Sequence, residues 1–168
     1  MMQVPFPVLT HLKLTGYVKV PVLSGGFLGK SAPCLQHLHL AGVPFPELPS
    51  LLLSTRDLVS LQLDCISLAG FISPEAMVMG LAGLTRLRTL SIRSPIPSSE
   101  QMRRLLDPPM LIVLPALTQF VIGGDSEYVE VLLAQIDTLQ VDGIVIEYSM
   151  QGVQTHQLSQ FIDRTANF

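Results

Sequence analysis

Six times along its 168 residues the chain returns to one phrase: an apolar residue, two others, a second apolar residue, one other, and a third apolar residue. The copies are Leu9-x-x-Leu12-x-Leu14, Leu35-x-x-Leu38-x-Leu40, Leu58-x-x-Leu61-x-Leu63, Leu87-x-x-Leu90-x-Ile92, Leu117-x-x-Phe120-x-Ile122 and, more divergent, Val141-x-x-Ile144-x-Ile146. They follow one another at 26, 23, 29, 30 and 24 residues. Such spacings lie in or just beyond the range of leucine-rich repeats, where each repeat supplies one short strand and stacks on its neighbours to bury a shared core. The second and third apolar positions are two apart, so both leave the strand on the core side while their neighbours face the other way. The pattern predicts an α/β fold. Its expected form is a leucine-rich-repeat solenoid of about six irregular repeats, with a parallel concave sheet and helices or loops on the convex side. Residues 1–168 are expected to form one such domain, a fragment of a longer array, because the first repeat begins without the polar cap that solenoids need.

The connectors carry helix signals. Segment 46–55 reads as a short helix. Ser73-Pro74-Glu75 offers an N-cap, a proline at the first helical position and an early acid. Ser98-x-x-Gln101 resembles a capping box before MRRLL, Asp125 is placed to cap SEYVEVLLAQI, and 155–165 reads as a last helix. Pro95, Pro97, Pro108 and Pro109 mark an irregular fourth connector. The asparagine common three residues after such strands is replaced by Tyr17, Val43, Ile66, Pro95, Asp125 and Ser149, so the repeats are expected to be uneven.

Charge limits the partners. A net charge of -3 and a pI near 5.7, with only 14% charged residues, give no basic field for nucleic acid or an anionic membrane. Mean hydropathy is high at +0.48, yet the most apolar stretch, 108–124, is interrupted by Pro115, Thr118 and Gln119 and is short for a bilayer about 30 Å thick. It reads as core. No signal peptide is visible, and Cys34 and Cys65 lack a spacing partner, so buried free thiols and an intracellular location, cytoplasmic or nuclear, are expected.

The segments FLGKSAPCLQHLHLAGVPFPELPSLLLSTRDLVSLQL, ISPEAMVMGLAGLTRLRTLSI, and LPALTQFVIGGDSEYVEVLLAQID with the later QLSQFIDRT resemble the leucine-rich-repeat region of fungal (basidiomycete) F-box proteins. The likeness covers most of the chain. It implies a substrate-recognition role, in which the repeats hold a protein target for a ubiquitin ligase. A Skp-type adaptor would dock only if an F-box lies upstream. ELPSLLLSTRDLVSLQL has a superficial likeness to an F-box, but its leucines fall in the third repeat's register and the chain contains no tryptophan.

Three chemical readings compete with a binding module. Within LSGGFLGKS at 23–31, the segment 24–31 is one residue short of a phosphate loop: Ser24 stands where the first glycine belongs, and Ala32-Pro33-Cys34 leads toward a strand rather than a helix. Lys30 therefore reads as a solvent-facing charge and the glycines as turn formers. His11, His37 and His39 project from one face of neighbouring strands, a set able to hold zinc, although Lys13 beside them disfavours a cation. Glu127 and Glu130 lie one turn apart on a surface helix, and no Ser/His/Asp set assembles without arbitrary choice. The expectation is a non-enzymatic chain without cofactor or metal that binds a protein target. A repeat fragment with no activity of its own is the alternative. The residues assigned to partner binding are His11, Lys13, His37, His39, Ser60, Gln62, Asp64, Thr89, Ser91, Arg93 and Gln119; Thr15, Ala41, Val121, Gly123, Gly143, Val145 and Glu147 complete that face. Six strands span only about 24 Å, so loops or further repeats are needed to reach the about 800 Å² a standard interface buries per partner.

Overall fold

A computed structural model describes residues 6–17, 20–93, 110–139, 141–148 and 156–166. Every copy of the repeated phrase carries a strand: β1 (His11–Thr15), β2 (His37–Ala41), β3 (Ser60–Asp64), β4 (Thr89–Arg93), β6 (Gln119–Gly124) and β8 (Gly143–Tyr148). They form one sheet in the order β1-β2-β3-β4-β6-β8, all pairs parallel. Two further strands, β5 (Ile112–Leu114) and β7 (Ile136–Thr138), make a separate parallel pair. Among the described residues four α-helices complete this mixed α/β fold: α1 (Leu48–Leu52), α2 (Pro74–Leu81), α3 (Ser126–Gln135) and α4 (His156–Ala166).

The repeat is visible in hydrogen bonds as well as letters. The first apolar residue of each of the first five phrases closes a turn onto the carbonyl three residues back, in Leu9 to Phe6, Leu35 to Ala32, Leu58 to Thr55, Leu87 to Leu84 and Leu117 to Leu114. The two amides that follow both donate to one carbonyl of the preceding strand's approach: Gln36 and His37 to Thr10, Val59 and Ser60 to Gln36, Arg88 and Thr89 to Val59, Thr118 and Gln119 to Arg88, Asp142 and Gly143 to Thr118. A turn that sets the chain's direction and a shared acceptor that sets its register recur together. The six strands therefore align position for position.

That alignment stacks the core residues in two rows, Leu12, Leu38, Leu61, Leu90, Phe120, Ile144 and Leu14, Leu40, Leu63, Ile92, Ile122, Ile146. In β2, β3, β4 and β6 these side chains are 2% exposed or less. Leu48, Leu51 and Leu52 of α1, Met77, Val78 and Leu81 of α2, Val129, Leu132 and Leu133 of α3, and Phe161 of α4 belong to the same core. The helices also pack on one another in chain order. Phe161 meets Phe120 with ring centroids 5.7 Å apart, and Tyr128 meets Phe71 edge-on at 6.1 Å.

Helix ends follow their side chains. Ser73 accepts from the Ala76 amide at 3.3 Å and Asp125 from the Glu127 amide at 3.0 Å, both as expected from sequence. The 46–55 helix is shorter than its letters suggest, because the Ser54 and Thr55 hydroxyls donate to the Leu51 and Leu52 carbonyls and close its last turn. Likewise α3 stops at Gln135: Ile136 is extended at φ -108°, ψ 131° and opens β7. At the positions where an asparagine was missed, Val43 and Ile66 are buried apolar side chains, Asp125 is the α3 cap and Tyr17 is exposed. The Ser98 cap, the four loop prolines and Ser149 lie outside the described residues. Among the described residues no helix is long and apolar enough to cross a membrane.

Candidate functional site

Opposite the core, the same register builds three rows on the outer face of the sheet. The first is His11, His37, Ser60, Thr89, Gln119 and Gly143; the second Lys13, His39, Gln62, Ser91, Val121 and Val145; the third Thr15, Ala41, Asp64, Arg93, Gly123 and Glu147. All the residues assigned to partner binding from sequence thus occupy one face of five adjacent strands, and β8 adds Glu147.

A chain of polar contacts runs from His39 of the second row through Asp64, Arg93 and Glu147 of the third. His39 Nε2 donates to Asp64 Oδ2 at 3.2 Å, Arg93 Nη1 stands 3.6 Å from Asp64 Oδ1, and Arg93 Nε donates to Glu147 Oε2 at 3.2 Å. The 3.6 Å contact is too long for a hydrogen bond, so Oδ1 has a charge partner but no donor. Arg93 and Glu147 lie two strands apart. They meet because Gly123 sits between them: a Cβ there would stand 3.1 Å from the Glu147 Cβ and 3.3 Å from its Oε2. Sequence placed Glu147 on this face, but its pairing with Arg93 depends on that missing side chain.

At the other end of the face the His11 and His37 rings stack, with centroids 4.3 Å apart and planes 17° apart. Thr10 Oγ1 lies 2.9 Å from His11 Nδ1. Lys13 is exposed and opposite His39 in register. Among the described residues, no group of three or more His, Cys, Asp or Glu side chains is arranged to hold a metal ion. Ser60, Gln62 and Thr89 are half-buried, and Gln119 is exposed with its amide lying over Gly143.

Ser91 departs from its expected role. It is 6% exposed and its hydroxyl has no hydrogen-bond partner, since a short side chain between Gln62 on β3 and Val121 on β6 is sunk below its neighbours. It is a floor to the surface rather than a contact. Gly123 is buried for a similar reason. The thiols are corrected in the opposite sense: Cys34 and Cys65 are both free but exposed. Cys34 stands on the outward position just before Leu35, and Cys65 takes a left-handed conformation, φ 53°, one residue past β3.

Segment 24–31 forms a 3-10 turn at Phe27–Lys30 and then extends at Ser31, φ -150°, ψ 123°, so no helix follows the lysine. The left-handed residues of this turn are Leu28 and Gly29, at φ 54° and 60°. Leu28 adopts that conformation while its side chain is wholly buried. Its packing, together with Gly29, makes the turn that sequence assigned to the glycines alone. The Lys30 side chain lies outside the described residues.

Comparison with family models, with curated proteins and with solved structures finds no match to this chain.

Proposed function

We propose that the chain is a non-catalytic protein-binding module: a leucine-rich-repeat solenoid, similar to the substrate-recognition repeats of an F-box ubiquitin-ligase subunit, that holds a protein target on the outer face of its sheet. The observation that carries this reading is the recurrence of one turn and one shared acceptor before successive strands, which aligns polar side chains from five repeats into a single surface. Repeat stacks of this kind bind through such extended faces. The linked side chains of His39, Asp64, Arg93 and Glu147 order this part of the face before a partner arrives, which lowers the entropy lost on binding. A Skp-type adaptor and ubiquitin transfer enter this proposal only through a further F-box segment.

The test is capture of partner proteins by immobilised full-length protein and by the Asp64→Lys/Arg93→Glu variant. Circular dichroism of the variant checks its fold. Proteins bound by the wild type and lost from the folded variant support the reading. An unchanged set of captured proteins removes the face from it.

A further inference from the structure

Among the described residues β1 and β8 end the sheet on its two sides, and each leaves one edge of backbone N-H and C=O groups outside the ladder. Both edges also leave the core unfinished. Leu12 and Leu14 on β1 are half-buried and Ile144 on β8 is 37% exposed, whereas their equivalents on the four strands between are 2% exposed or less. Val145, on the outer face of β8, is 46% exposed. β8 reads Gly143-Ile-Val-Ile-Glu-Tyr148, a β-branched segment with one charge and no proline, so nothing in its side chains blocks a further strand.

We propose that these two edges pair with each other between copies of this chain, β8 of one copy taking β1 of the next in parallel, so that the sheet continues from molecule to molecule. The register is the one every step of the sheet already uses. Continued by one strand, it sets Ile144 against Leu12 and Ile146 against Leu14 of the next copy, completing both core rows. On the outer face it sets Val145 against the next copy's Lys13, with Glu147 diagonal to that lysine and within reach of its long side chain. Lys13 is the only residue of β1 with a fixed charge, and Glu147 the only one of β8. Pairing β1 with β1, or β8 with β8, therefore brings no opposite charge to either residue, whereas β8 on β1 gives Lys13 an acidic neighbour and adds a second cation beside Glu147, which already pairs with Arg93 in its own copy. A joint between two different patches is heterologous, so association does not close at a dimer. The inference concerns the edges of the sheet and does not require any particular protein on its face, although Lys13, Val145 and Glu147 belong to that face as well.

Sedimentation velocity of the full chain across a wide range of concentration tests it. The wild type is expected to pass beyond dimer as concentration rises. Val145→Lys opposes lysine to Lys13, and Lys13→Glu sets a glutamate diagonal to Glu147; each is expected to weaken association about fivefold. Val145→Lys combined with Lys13→Glu restores it, because opposite charges again face each other. Val145→Glu strengthens it, and decides the matter if circular dichroism shows either lysine-bearing variant unfolded. A wild type that remains monomeric, a plateau at dimer, association that none of the substitutions changes, or a folded double variant no better than the single ones would overturn the proposal.

Discussion

Leu61→Ala puts the stacked register to a quantitative test. Leu61 is fully buried, with Leu38 and Leu90 beside it in the same row, and the helices close the core around them. Removing its three terminal carbons forfeits their transfer free energy and leaves a cavity that flanking strands, held by the repeated turn and shared acceptor, are poorly placed to fill. The cost is about 3 kcal/mol. Ile144 holds the same position at the edge, but it is 37% exposed and, among the described residues, has a strand neighbour on one side only. Truncating it opens no closed cavity, and Ile144→Ala costs about 1 kcal/mol. Urea unfolding with a shared slope reads both values. Equal losses at the two sites, or a loss below about 1 kcal/mol at Leu61, would refute the account of how the rows are buried.

Three other consequences follow from the backbone and from burial. Gly42 has φ 65°, and a Cβ there would collide with the Gly16 carbonyl oxygen, so Gly42→Ala lowers stability by about 2 to 3 kcal/mol in the same urea measurement. Cys65 holds the corresponding position one repeat later at φ 53° with an exposed side chain; Cys65→Gly relieves the left-handed strain without losing packing and raises stability by about 0.5 to 1 kcal/mol, read as a higher melting temperature. Burial, with a smaller contribution from the Glu75 carboxylate, raises the Tyr128 phenol well above its ordinary value. Because the folded pKa is the higher one, this contribution is complete below about pH 10 and is lost as pH rises above it. Tyr128→Phe should therefore flatten the alkaline fall in stability, and an unchanged fall would assign it to other groups.

The letters made the sheet legible because one physical device was written six times. Leucines spaced three and then two apart need a turn followed by a strand with one buried side, and five of the phrases are close enough to one another to fix the register directly. The Ser73 and Asp125 caps were equally plain, since each side chain acts on an amide two or three residues away. What escaped the sequence was decided across space. Ile136 left its helix to pair with Ile112 in a second small sheet, and Ser91 sank between longer neighbours from adjacent strands. Cys65 took a conformation usually left to glycine. On the candidate face, the residues were placed correctly by register, but the Arg93–Glu147 pair depends on an empty side-chain position at Gly123 that no local pattern announces.

The claim on which both the face and the edges rest is that the repeated phrases lie side by side in chain order and in one register. Methyl-to-methyl NOEs in leucine- and isoleucine-labelled protein measure it directly. The register predicts contacts from Leu38 to Leu61, from Leu61 to Leu90 and from Leu63 to Ile92, with none from Leu38 to Leu90, which lie two strands apart. NOEs that skip a strand, or that join Leu61 to a residue of the other core row on its neighbour while its own row is silent, would contradict it.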